Sequence, residues 1–121
     1  MKTTLQVGLQ LIKAIKNVHE SGFLHRDLKP ANITIGIGRR TNSVRLIDFG
    51  LAKNYKGFTL EEHIPPEKVH QLIGTQAYAS INSHKCIELS RRDDLESLMY
   101  ILIDLHLDWL PWLKLRESQS D

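Results

Sequence analysis

His25-Arg26-Asp27-Leu28-Lys29-Pro30-Ala31-Asn32 is the stretch on which the reading of this chain turns. An Asp, a Lys two residues on and an Asn five residues on suit a single task. The carboxylate can accept a proton from an attacking hydroxyl, the ammonium can balance charge on a transferring phosphoryl group, and the amide carbonyl oxygen can hold Mg²⁺. Pro30 forbids a regular helix here, so the three side chains can converge from a loop. The plain alternative is a polar turn between a helix and a strand, and eight residues at these identities argue against it.

The stretch lies between two recognisable patterns. Upstream, Leu5, Leu9, Ile12, Ile15 and Val18 recur at three- and four-residue steps and predict a helix from Thr4 to Ser21. Thr3 or Thr4 is expected to cap its start and Gly22 to stand just past its end. His19, near that end, reads as a packing or capping residue. Downstream, Ile33-Thr34-Ile35 and Val44-Arg45-Leu46-Ile47 read as two strands of a hairpin. The joining loop, 36–43, holds Gly36 and Gly38; no third glycine and no helical pattern follow, so the pair reads as a turn rather than a phosphate loop. Arg39 and Arg40 read as a solvated tip.

Asp48-Phe49-Gly50 comes sixteen positions after Asn32, at the end of the second strand. An Asp in that place, with Gly50 permitting an unusual backbone beyond it, can chelate a phosphate-bound Mg²⁺. Asn32 and Asp48 at the two ends of one hairpin could then share a metal. Residues 51–73 are loop-like, with Gly57, Pro65 and Pro66; a connection that long calls for a functional reason. Ser90 to Leu107 predicts a second helix, with Ser90 and Asp93 at capping-box spacing. Its Leu95, Leu98, Met99, Leu102, Ile103 and Leu105 point to a buried central helix. Asp94 within it either accepts backbone N–H groups of the catalytic stretch or answers the helix dipole. Pro111 is expected to stop the helical region, Trp109 and Trp112 to pack, and residues 117–121 to fray.

Size and composition bound the rest. The 121 residues suffice for one domain at most, with 41% hydrophobic and 25% charged residues, an ordinary globular composition. A formal net charge of +2 gives no ground for a nucleic-acid or membrane partner. The single cysteine, Cys86, forms no internal disulfide and fits a reducing compartment, hence a cytoplasmic or nuclear expectation.

The two motifs match protein-kinase signatures. Together with Leu46-Ile47-Asp48-Phe49-Gly50-Leu51-Ala52-Lys53, Tyr55, Gly74-Thr75, Tyr78-Ala79-Ser80-Ile81-Asn82, Ser90-Arg91-Arg92-Asp93-Asp94-Leu95-Glu96-Ser97-Leu98 and Leu110-Pro111-Trp112, they resemble the casein kinase 1 family and its tau-tubulin kinase relatives. Ser-Ile-Asn at 80–82, where most kinases carry Ala-Pro-Glu, makes the resemblance specific. It implies a serine/threonine kinase that uses ATP and Mg²⁺ on protein substrates. It implies Asp27 as catalytic base, Lys29 as a γ-phosphate contact, and Asn32 and Asp48 as Mg²⁺ ligands. Arg26 and Gly50 belong to the motifs; His25 and Phe49 would join a hydrophobic spine, Thr75 would help fix the catalytic loop, and Asp94 would anchor it.

There are departures. Ala77 stands where the family pattern has Arg, and His70 where it has Lys, so a preference for acidic or phosphate-primed substrates is not implied. No G-x-G-x-x-G-x-V and no V-A-I-K precede the first helix. The chain therefore reads as the middle of a kinase C-lobe: an α+β, mainly helical core with the ATP-holding N-lobe absent. On that reading the isolated chain is catalytically silent or a binding or decoy module, with an uncovered core face prone to association.

Overall fold

The computed structural model describes residues 1–40, 43–56 and 63–117. Among them are four α-helices and two small antiparallel sheets. Helix α1 spans Lys2–Glu20, and Phe23–Leu24 forms strand β1. A 3-10 turn at Pro30–Asn32 leads into β2, Ile33–Ile35. Strand β3 is Val44–Leu46 and β4 is Lys53–Asn54. Helices α2 (Ile81–His84), α3 (Arg91–Leu107) and α4 (Pro111–Glu117) follow.

The hairpin forms as expected, with Ile33 opposite Leu46 and Ile35 opposite Val44. Its second strand stops at Leu46, one residue early, because the residue facing Ile47 is Asn32 of the 3-10 turn; the Ile47 N–H still bonds Asn32 O at 2.9 Å in the register of the pair. The second sheet was not foreseen. Phe23 pairs with Asn54 and Leu24 with Lys53, inside the region read as loop. Two-residue strands carry no periodicity, so only the pairing reveals them.

Helix α1 begins at Lys2 with Met1 as its N-cap, so Thr3 and Thr4 lie within its first turn and cap nothing. Gly22, at φ 92°, takes the left-handed turn after the helix that favours glycine. The expected apolar face is corrected. Leu5, Leu9 and Ile12 are exposed; of the expected set the helix buries Ile15, and with it Gly8, Leu11 and His19. The reason is close packing on α3: a Cβ on Gly8 would lie 3.2 Å from Leu102 Cδ1. The smallest residue selects the face by letting the helices approach.

The main core joins Leu11 and Ile15 of α1, Leu28 of the His25–Asn32 stretch, and Leu98 and Ile101 of α3, with β2 and β3 against it. Burial of side chains of this size stabilises by about 1.5–3 kcal/mol each. A second cluster holds Leu24, Tyr55 and Leu89. Helix α3 has the expected Ser90–Asp93 capping box, but it is not buried all round. Asp93, Asp94, Ser97, Leu98 and Ile101 are inside, while Leu95, Met99, Ile103 and Leu105 are exposed because no described element lies over them. Asp108, in the left-handed region at φ 50°, ends α3. Pro111 starts α4 rather than stopping the helical region, as suits a residue with no N–H to satisfy. Glu117 is the last residue of α4, and the rest of the expected frayed tail lies outside the described residues, as do Thr41, Asn42 and Gly57.

Candidate active site

The stretch from His25 to Asn32 is positioned from α3. Asp94 Oδ2 accepts the N–H of His25 at 2.9 Å and Asp94 Oδ1 accepts the N–H of Arg26 at 3.0 Å. The same carboxylate accepts His19 Nε2–H at 2.8 Å. A carboxylate as buried as this one, 4% exposed, is stable only when so fully bonded. Its position at the start of α3 adds the helix dipole, so the two sequence alternatives for Asp94 act together. The bonds also hold Arg26 at φ 69°, a region that non-glycine residues avoid.

His25 is almost fully buried and has a defined tautomer. Its Nε2 lies 3.0 Å from Ile47 O, an atom that can only accept, and its Nδ1 accepts Asp27 N–H at 3.2 Å. The proton is therefore on Nε2. The ring thus ties Asp27's backbone to the residue before Asp48. Phe49 packs on it with ring centroids 4.9 Å apart, the pairing expected of these two side chains, yet Phe49 is 47% exposed.

Asp27 collects the remaining polar groups. Its Oδ1 accepts the Thr75 hydroxyl at 2.7 Å, and Lys29 Nζ lies 3.8 Å from Oδ2. Asn32 donates through Nδ2 to Asp27 O at 2.9 Å and more weakly to Asp27 Oδ2 at 3.4 Å. Both bonds use the amide nitrogen, which leaves the carbonyl oxygen as the atom suited to a hard cation. Asp48 sits at φ 57°, is exposed, and turns Oδ1 back onto Gly50 N–H at 3.1 Å. The Asn32–Ile47 backbone bond makes Asp48 the next residue along the pair. One amide oxygen and one exposed carboxylate fit Mg²⁺, which keeps several waters and takes few protein ligands. Among the described residues no cluster of three or more His, Cys, Asp or Glu forms an all-protein metal cage.

Arg26 Nε–H donates to Leu51 O at 2.6 Å, pinning the chain beyond Gly50. Burial pushes the Arg26 guanidinium below its ordinary range, a shift opposed by Glu88 and Asp94; it remains charged. Lys53 pairs with Glu88 at 2.8 Å. Gly74 was quoted only as part of a motif, but it meets the loop directly. At φ 99°, a Cβ there would lie 2.6 Å from Arg26 O.

The chain beyond Thr75 is tied to α3. Asp93 Oδ1 accepts the Ser80 hydroxyl at 2.8 Å and Asn82 Nδ2 at 3.1 Å, and Ile81 N–H bonds Glu96 at 2.9 Å. Ser80 Oγ caps α2 by accepting Ser83 N–H at 3.1 Å. Trp112 is half-exposed and donates to Ala77 O at 2.7 Å, so it does more than pack. A cavity of about 700 Å³ lies elsewhere, lined by Lys16, His19, Tyr55, Lys56 and Arg91 among others; it contains none of Asp27, Lys29, Asn32 or Asp48.

Sequence reasoning missed as ties His19, Gly74, Ser83, whose hydroxyl donates to Ile73 O at 2.6 Å, and Ser97, whose hydroxyl donates to Tyr78 O at 2.7 Å. Only Gly74 carried a signal, since glycine beside a motif hints at close backbone approach. The structure brings Asp27, Lys29, Asn32 and Thr75 into one cluster, with Asp48 joined to it through the strand pair and the His25 ring. A family model described as the protein kinase domain matches residues 2–120, and the chain belongs to that family.

Proposed function

We infer that the chain carries the phosphoryl-transfer loop of a serine/threonine kinase of the casein kinase 1 type. The observation that carries this reading is the Asp27 carboxylate, held on one side by Thr75 and on the other by Asn32, with Lys29 beside it. In that setting Asp27 accepts the proton of an acceptor Ser or Thr hydroxyl as the hydroxyl attacks. Lys29 offsets charge on the moving phosphoryl group. Mg²⁺ bound with ATP would neutralise phosphate charge, and Asn32 Oδ1 and the Asp48 carboxylate are the groups that would hold it. Ala77 and His70 stand in place of the family's basic residues, so the reading carries no preference for acidic or phosphate-primed acceptors; His70 would restore positive charge only when protonated.

A second reading, a non-catalytic binding module, is favoured by the exposure of Phe49, Ile47 and Phe23, large apolar side chains open to a partner. On that reading the isolated chain transfers no phosphate. Phosphotransfer from labelled ATP to casein decides between the two, with Asp27→Asn as control. Turnover lost by at least a hundredfold in the control supports the kinase reading for this chain. Equal incorporation by both forms rejects Asp27 as base, and no incorporation by either supports the module.

A further inference from the structure

The cavity of about 700 Å³ away from Asp27 has an apolar floor and a cationic rim. Tyr55 and Ile15 lie buried at its base, and Ile12 of α1 and Leu95 of α3 add half-exposed apolar walls. Two cations are set against the Tyr55 ring: Lys56 Nζ lies 6.0 Å and Arg91 Cζ 5.1 Å from its centroid. Such contacts hold a cation in place without neutralising it. The carboxylates closest in sequence to Arg91 are already used. Glu88 pairs with Lys53 at 2.8 Å, Asp93 accepts the Ser80 hydroxyl and Ser90 N–H, and Asp94 is bonded to His19, His25 and Arg26. Among the described residues no carboxylate lies within ion-pair distance of Lys56 or Arg91. Glu20, also in the lining, pairs loosely with Lys16 at 3.7 Å, where both side chains are well exposed and the pair is weak. A second cavity of about 470 Å³ shares His63 and Arg91 with the first and adds Arg92, so the two form a groove longer than a single-ion pocket.

We propose that this groove docks an acidic peptide segment, with its carboxylates on Lys56 and Arg91 and an apolar side chain against Tyr55, Ile12 and Leu95. Charge complementarity selects the sign of the partner, because the rim carries cations that the chain itself leaves uncompensated. The apolar floor and walls select its shape. A small hydrated anion gains nothing from Ile12 and Leu95, and a purely apolar segment gains nothing from the rim. The groove contains none of Asp27, Lys29, Asn32 or Asp48, and neither Ala77 nor His70. Docking there therefore needs no phosphotransfer and is separate from any contact made at the candidate active site.

The test is a calorimetric titration of the whole chain with a short end-blocked peptide in which Leu and Phe are set among Glu residues. Arg91→Gln and Lys56→Gln are each expected to weaken binding about fivefold, and Leu95→Ala about threefold. Arg45→Gln removes the same charge from an exposed position on β3, outside both cavities, and is expected to change nothing. Replacing the peptide's Glu by Gln, or its Leu and Phe by Ala, is expected to weaken binding about tenfold in either case. Thermal unfolding of each variant at the wild-type temperature shows that a loss of binding is not a loss of fold. A wild-type chain that does not bind the peptide overturns the proposal. So does a loss in Arg45→Gln equal to that in Arg91→Gln, which would mean attraction to net charge alone, or unweakened binding of the Ala peptide, which would mean that the apolar floor is unused. Co-sedimentation with phosphatidylserine vesicles in place of peptide binding overturns it as well and makes the face a membrane contact.

Discussion

Asp27 and Asp48 stand a strand pair apart, yet the chain grips them differently. The loop around Asp27 is held from outside by Asp94 of α3 and by Thr75, and its Leu28 is sunk 97% into the core. The segment around Asp48 is exposed from Ile47 to Leu51, and its ties run mostly to the loop itself: His25 to Ile47, Arg26 to Leu51, and the His25 ring to Phe49. One motif is fixed by the helical core, and the other leans on the first. On the proposed function the base would be preorganised by the fold, while the Asp48 carboxylate that would help hold the metal depends on whatever else covers it. Both backbones pass through the left-handed region at a non-glycine residue, which costs about 1–3 kcal/mol at each. Only the first has a buried carboxylate to hold it there.

The largest effect should follow from removing that carboxylate. Asp94→Ala leaves the N–H groups of His25 and Arg26 and the ring of His19 without their acceptor in a buried site. Loss of about 3–5 kcal/mol is expected in a denaturant titration, with the catalytic-loop amides exchanging first. A loss below about 1 kcal/mol would mean that the loop is not held from α3, and the contrast between the two motifs would disappear.

A paired substitution sharpens the same contrast. Leu28→Ala and Phe49→Ala each remove a large apolar side chain from a motif, but one is 3% exposed and the other 47%. The first should cost about 2–5 kcal/mol and the second about 1 kcal/mol or less. Equal costs would show that Phe49 is as well packed as the core. An ordering of the Phe49 ring on adding a covering partner would show why its exposure is tolerated.

What the sequence disclosed follows from how far each signal reaches. The hairpin, the glycine after α1 and the Ser90–Asp93 box are local, and they lie where residue type and spacing put them. Asp94 was legible because a carboxylate among apolar neighbours demands donors. Its bond to His19 joins residues 75 apart, and no local pattern announces it. The misread face of α1 has the same origin. Leu5, Leu9 and Ile12 form a sound apolar stripe, but Gly8 and its meeting with Leu102 choose the buried side. β1, β4 and α2 are too short for periodicity to register.

The smallest expected effect concerns pH and the far end of the Asp27 side. Burial, then the hydrogen bond to Asp104, raises the Tyr78 hydroxyl from its ordinary value near 10 to about 12. Burial and the bond to Glu96 do the same for Tyr100, also to about 12. A folded-state pKa above the unfolded one means that the folded chain holds more protons between those values, so stability falls with rising pH in that window. It is fully present below about pH 10 and lost by about pH 12. Tyr78 is tied through its carbonyl to Ser97 and through its hydroxyl to α3, whereas no tyrosine lies in the stretch Ile47–Leu51. Alkaline loosening should therefore reach the Thr75–Ala79 turn before the Asp48 segment. Tyr78→Phe should flatten the slope of stability between pH 10 and 12 and leave stability at neutral pH within about 1 kcal/mol, since the bond it removes is only part-buried. A slope unchanged in both Tyr78→Phe and Tyr100→Phe would place the alkaline transition elsewhere.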